Sequence, residues 1–279
     1  MNTFLPSAFV ERVHRLALGV EPLDAVRPGR FARPVAVTID GPPTPGPTLL
    51  PWGEIDPALG RPRLQRHSSG RYVLLYEEEP KVPVAVRLVP VERRFVPRRM
   101  RFAIRPESDV LIAERAGTDV PVAQRAWRPR LFPGAAYDIA ESATGVRGRV
   151  RRGGDPARWT RVEALVGTDV VGRAHGDDRG EFLLVLGPIP GDVGELALPG
   201  DARIEVRVTI DVYAHDPVVA VDPHDPLADL PLEPAAGPGV LPDRVSEGVT
   251  RPADYVRIAR RLDVAVPIGR LTSIPTFVV

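Results

Sequence analysis

Apolar residues in this chain fall into short runs with a period of about two, cut by residues that favour turns. The most informative stretch is 170–187. Val170 and Val171 open a β-prone run, Gly176-Asp177-Asp178-Arg179-Gly180 breaks it, and Glu181-Phe182-Leu183-Leu184-Val185-Leu186 resumes it. Aspartate side chains can bond back to turn backbone, and Gly180 can take positive φ without steric cost, so the pattern predicts an antiparallel hairpin. A second copy of the design lies earlier, ending in Gly70-Arg71-Tyr72-Val73-Leu74-Leu75. In both, a glycine precedes one charged residue, an aromatic and an aliphatic run. The repeat predicts a duplicated module, with Tyr72 and Phe182 as core anchors after their turns.

The same reading places further strands on either side. Residues 13–20 alternate as an outer strand would, although 6–19 also fit helical spacing with Ser7 as cap. Arg33–Asp40, Val82–Val89 and Phe95–Ile104 complete a first module. Residues 42–62 form a loop in which Trp52 covers an apolar edge. Glu107–Glu114 is expected to add a strand, and 128–134 a loop. The second module should contain Val146–Arg152, Trp159–Val166, Val170–Ala174, Gly180–Leu186 and Ala202–Tyr213. In the last of these Ile204, Val206, Val208, Ile210 and Val212 share one face, as in a half-buried antiparallel strand. The prolines of 214–250 argue against both helix and central strand, so this segment is expected to be extended. A short helix over 250–261 and strands at Val264–Val266 and Pro275–Val279 would follow.

The fold class predicted is all-β: two tandem small antiparallel β-sandwiches with a proline-rich C-terminal arm. The boundaries are 1–106 for the first sandwich, 107–143 for a connector, 144–215 for the second sandwich and 216–279 for the arm. Composition sharpens this picture. The chain has 279 residues, 43% hydrophobic, with 33 prolines and 25 glycines, a density that disfavours long helices. A net charge of +1 gives no general attraction to nucleic acid or anionic lipid. With no cysteine, disulfides, thiolate metal sites and cysteine nucleophiles are excluded. The first twenty residues lack a basic region followed by an uninterrupted apolar one, and no run is long enough to span a membrane. The expected location is the cytoplasm, with release as part of a particle as a further option.

The second module resembles carboxypeptidase regulatory-like domains, the prealbumin-type β-sandwich that includes transthyretin-like and Cna-B folds. The residues that carry the resemblance are Val146-Arg147-Gly148-Arg149-Val150, Val162-Glu163-Ala164 and Asp177-Asp178-Arg179-Gly180-Glu181-Phe182. The first module matches more loosely, through Ser69-Gly70-Arg71-Tyr72-Val73 and Phe95-Val96-Pro97-Arg98. The resemblance implies a β-sandwich with an accessory role that stiffens, spaces or docks other parts. Paired modules of this kind also resemble accessory components of phage-tail-like contractile injection systems. Some Cna-B relatives carry an internal isopeptide bond joining Lys to Asn or Asp beside an acidic residue. Here Lys81 is the only lysine and Asn2 the only asparagine, at a chain end, which argues against such a link.

Candidate chemistry is sparse. His215-Asp216-Pro217 and His224-Asp225-Pro226 repeat a tripeptide that could hold a divalent metal, but Asp-Pro turn chemistry is the simpler reading. Asp177 and Asp178 could ligate Ca²⁺, yet the further oxygens it needs are not evident nearby. His67 and Ser68 lie on a turn, and neither a nucleophile elbow nor a phosphate-binding glycine loop is present. No cofactor is expected. The densest basic run is Arg93, Arg94, Arg98, Arg99, Arg101 and Arg105. With Phe95, Phe102 and Ile104 directed to a core, it suits protein carboxylates better than nucleic acid.

The favoured function is non-enzymatic assembly: docking with other protein subunits in an oligomeric complex. The docking residues are Arg98, Arg99 and Arg101, with Leu271, Ile274, Phe277 and Val279 of an arm that reaches to a neighbouring subunit. The arm could instead fold back beside Ile204–Val212. The alternative function is a carbohydrate- or surface-binding module using Trp52, Trp127 and Trp159.

Overall fold

Each turn-plus-aromatic repeat leads into a strand of a β-sandwich, but only the first is the expected hairpin. Gln65–Arg66 pairs antiparallel with Tyr72–Leu75, whereas Asp169–His175 and Glu181–Val185 lie in different sheets, so the Gly176–Gly180 turn carries the chain from one sheet to the other. The computed structural model describes residues 15–41, 64–76, 80, 82–121, 124–188, 204–215, 222, 224–237, 239–240, 242–258 and 261–278. The first module comprises β1 (Leu16–Val20), β2 (Leu23–Asp24), β3 (Val35–Ile39), β4 (Gln65–Arg66), β5 (Tyr72–Leu75), β6 (Val84–Pro90) and β7 (Arg98–Phe102). A helix α1 (Glu107–Arg115) follows, then β8 (Ala126–Trp127) and β9 (Arg130–Leu131). The second module begins with β10 (Gly145–Arg152), β11 (Asp155–Pro156), β12 (Arg161–Val166), β13 (Asp169–His175), β14 (Glu181–Val185) and β15 (Glu205–His215). The arm contributes β16 (Leu232–Pro234), β17 (Tyr255–Arg257), β18 (Leu262–Pro267), β19 (Leu271–Ser273) and β20 (Phe277–Val278).

The modules share part of their pairing, but the expected duplication does not extend to strand order, since β5 lies between β4 and β1 whereas β14 pairs with β10 alone among the described strands. In one sheet of each module a central strand is antiparallel to the strand after the glycine turn and parallel to the module's last strands. That strand is β1, between β5 and β8, in the first module, and β10, between β14 and β19 with β20, in the second. In the opposite sheets β6 lies antiparallel between β3 and β7, and β15 lies antiparallel between β12 and β18. Tyr72 faces Val20 across its strand pair and Phe182 faces Gly148, and both rings are buried. The turn glycines adopt φ of 84° at Gly70 and 71° at Gly180, a region that favours glycine. The Tyr72 hydroxyl donates to the Val35 carbonyl and so ties the two sheets together.

Alternation places the core as expected. Val208, Ile210 and Val212 of β15 are buried with Val146, Val150, Val162, Ala164 and Phe182 in the second module. Leu18, Leu74, Val86, Leu88, Met100 and Phe102 fill the first. The outer face of β14 adds Leu183 to that first core, so the sandwiches share apolar packing.

Four further expectations need correction. Residues 107–114 form helix α1, not a strand: Glu107 and Asp109 sit in its first turn, where they favour the helix dipole, and only Val110 is buried. The connector is not separate, because β8 pairs with β1 and β9 with β2. The stretch expected as a helix over 250–261 contains strand β17, paired with β15 through Tyr213–His215. The arm, finally, takes the fold-back alternative. β18 pairs with β15 over Glu205–Ile210, and β19 and β20 pair with β10. Even the proline-rich part enters a sheet, since β16 lies parallel to β7 with Pro234 as its last residue. An edge position tolerates proline because the missing N–H need serve only one side.

Candidate functional site

Where the two modules meet, the sequence buries charge. The arm crosses the first module as a strap whose acids Asp225, Asp229 and Glu233 each meet arginine. Arg87 Nη1 donates to Asp225 Oδ1 at 2.7 Å, and Arg158 Nη2 to Asp229 Oδ1 at 2.9 Å. Asp40 joins the array, accepting from Arg87 Nε at 2.7 Å and Arg99 Nε at 2.6 Å. Between these ion pairs Leu227 and Leu230 pack with Val96 and Trp159. The apolar residues thus supply burial while the acids set register.

Glu233 lies at the centre, 1% exposed, on β16. Arg98 of β7 forks onto it, Nε to Oε1 at 3.0 Å and Nη2 to Oε2 at 2.6 Å. Arg161 of β12 reaches the same Oε1 from the second module at 3.0 Å. Carbonyls take the remaining guanidinium hydrogens of Arg98 and bind Arg161 through Nη1. Arg98 donates to Arg130 O, Val245 O and Ser246 O, and Arg161 to Trp159 O. Asp243 shapes the turn that offers two of those carbonyls, accepting from Val245 N and from the Ser246 hydroxyl. Burial pushes the Glu233 carboxyl up, but Arg98 and Arg161 outweigh it and hold it below the usual carboxylate range. Arg161 also sits 5.1 Å over the Tyr255 ring, and the Tyr255 hydroxyl donates to Trp159 O.

His175, at the end of β13, closes this cluster. Its ring stacks on Phe132 at 4.0 Å between centroids, and a Cβ on Gly248 would stand 2.4 Å from Phe132, so only glycine fits there. Burial, then Arg161 and Arg98, lower its pKa well below the usual histidine value. The imidazole is therefore neutral at pH 7, and the Arg–Glu–Arg group carries one net positive charge. A second link lies at the turn of the repeat, where Arg93 holds Asp178 bidentately at 2.9 and 3.1 Å. Asp177 turns inward, accepting from Arg179 N and Glu181 N, which is turn chemistry. Burial raises its pKa, partly offset by those hydrogen bonds.

The docking residues expected from sequence are dispersed by the fold. Arg98 is fully buried and belongs to no surface. Arg99 is partly buried against Asp40, and Arg101 is exposed. Phe277 is buried in the second core, Ile274 packs on that core, and Leu271 packs on the first. Val279 lies outside the described residues, as do Trp52, Lys81 and Asn2. Trp127 and Trp159 are 7% and 2% exposed. In the repeated tripeptides, Asp225 Oδ1 also accepts from Leu227 N, and His215 pairs with Asp254 at 3.0 Å. Sequence reasoning missed Glu233, Arg161 and His175. The usable signal was the spacing of Asp225, Asp229 and Glu233, four residues apart within an otherwise apolar strap.

No protein-family model and no curated protein matches this chain. A solved structure does align. The crystal structure of a 9R-lipoxygenase from Cyanothece PCC8801 is 18% identical over 63% of this chain and 21% of its own, with a TM-score of 0.27. The chain thus spans about a fifth of that protein's length. An alignment at that level carries no argument about this chain's fold or chemistry. Among the described residues, no group of three or more histidines and carboxylates is placed to hold a metal, and no helix is long and apolar enough to cross a membrane.

Proposed function

We propose that this chain is a non-enzymatic structural protein that docks with other protein subunits, holding two β-sandwiches in one fixed relative orientation. One observation carries the reading: Glu233 is shared by Arg98 and Arg161, so a single buried carboxylate on the strap binds both modules. A buried charge left unpaired is costly, which makes relative movement of the modules unfavourable. Rigid coupling of this kind suits a spacer or docking subunit. The resemblance to carboxypeptidase regulatory-like modules points the same way, and a contractile, tail-like particle is the setting proposed for it. The sugar-binding reading loses support, since Trp127 and Trp159 are spent on internal packing.

The test is the native mass of the protein taken from its own cells at natural abundance, measured by sedimentation and mass photometry. A discrete particle many times the mass of the 30.4 kDa chain, with the chain as a stoichiometric subunit, is expected. A monomer at every concentration would contradict the proposal.

A further inference from the structure

The outer face of β10 carries arginines that, among the described residues, form no ion pair. Arg147, Arg149 and Arg151 alternate on this strand, so their side chains leave the same face about 6.8 Å apart, twice the strand rise. Elsewhere the chain pairs arginine with acid, as at Arg87, Arg93, Arg98, Arg99, Arg158, Arg161 and Arg261. In this row, among the described residues, Arg149 meets only the Arg179 carbonyl, Arg151 only the Gly154 carbonyl, and Arg147 neither a hydrogen-bond nor an ion-pair partner. Beside them opens a depression of about 250 Å³ lined by Arg147, Arg149, Glu181, Leu183, Ser273 and Ile274, next to the break between β19 and β20.

We infer that this arginine row is a docking surface for an acidic, extended segment of a partner protein. The geometry fits because an extended polypeptide repeats its side chains on one face at the same interval as the row, so carboxylates at alternate positions meet successive guanidinium forks. The chain itself supplies the precedent, in which a strap bearing Asp225, Asp229 and Glu233 is held by arginine forks. A polypeptide fits better than a nucleic acid on two counts. Glu181 projects into the depression, where it would repel a continuous polyanion, and Phe182, the aromatic in the lining, is 3% exposed and offers no face for base stacking. This deepens the assembly reading by naming the partner's chemistry and rests on it.

The experiment is a fluorescence-anisotropy titration of the full chain with a labelled acetyl-(Glu-Val)₄-amide peptide. A peptide of the same composition with its glutamates contiguous and a short oligothymidylate serve as comparisons. The alternating peptide is expected to bind more tightly than both, and more weakly as salt rises. Arg147→Gln, which disturbs no contact in the fold, and the double variant Arg147→Gln/Arg149→Gln should keep the wild-type melting curve. The double variant should lose about tenfold in affinity, the scale of a charge-assisted bidentate contact. Equal binding by wild type and variants, no binding by the alternating peptide, or tighter binding of the oligothymidylate would each overturn the inference. None of these results would alter the native mass, so the assembly reading is tested separately.

Discussion

Glu233 and His175 show how one residue can set the behaviour of this molecule. Glu233→Gln would leave two buried guanidinium groups sharing a neutral partner, and removing one member of a buried pair costs about 3–5 kcal/mol. Chemical denaturation should show a loss of that size, whereas replacing all three members with apolar residues (Arg98→Met, Glu233→Leu, Arg161→Met) should recover most of it. His175 makes stability depend on pH. Its folded pKa lies well below the 6.5 of an unperturbed histidine, lowered by burial and by Arg161 and Arg98. Below about pH 6.5 the unfolded chain therefore binds a proton that the folded chain refuses. Stability should fall with pH through this window, approaching about 1.4 kcal/mol per pH unit. Asp177 acts in the opposite sense, but only nearer the carboxylate range, because its raised pKa starts from 3.8. Denaturation at pH 7.0, 6.0 and 5.5 measures the slope, and His175→Gln should flatten it. An unchanged slope in that variant would assign the pH dependence to another group.

At the scale of elements, local chemistry was legible and remote pairing was not. The turns at Gly70 and Gly180 could be read because each determines its conformation from a few neighbouring residues, and the aromatics after them lie in the cores. Phe182→Ala should cost about 3–5 kcal/mol in unfolding free energy, as cavity formation in a packed core does. Helix α1 was misread because its short segment has no apolar stripe to betray its period. The pairing of the strap is hidden in the sequence because its prolines argue against strand pairing. In the fold, β16 needs only three residues at an edge, and its partner β7 lies more than a hundred residues away in sequence. A chain ending at Asp216 tests the fold-back directly. It loses β17 and β18 from beside β15, and β19 and β20 from beside β10, so the second module should no longer melt cooperatively by circular dichroism. An unchanged transition would mean that these strands are dispensable to it. Of the candidate site, the arginine row on β7 was legible as basic. That Arg98 points inward to a glutamate from the arm was not, because nothing local predicts which acid crosses back.

In the whole molecule, two sandwiches are fixed by a strap, an ion cluster and shared apolar packing. Flexible modules joined by a connector would be the default where inter-domain contacts are small and polar. The buried carboxylate bound from both sides, with Leu183 of the second module packed into the first core, argues against that default here. The absence of cysteine makes the direct measurement simple, because introduced cysteines are the only sites that a thiol label can take. Ser68→Cys and Thr168→Cys place spin labels on exposed turns, one in each module. Pulsed electron–electron resonance on the doubly labelled chain should give a single narrow distance distribution, which broadens when Glu233→Gln is added. A broad or multimodal distribution in the chain with native Glu233 would contradict the account.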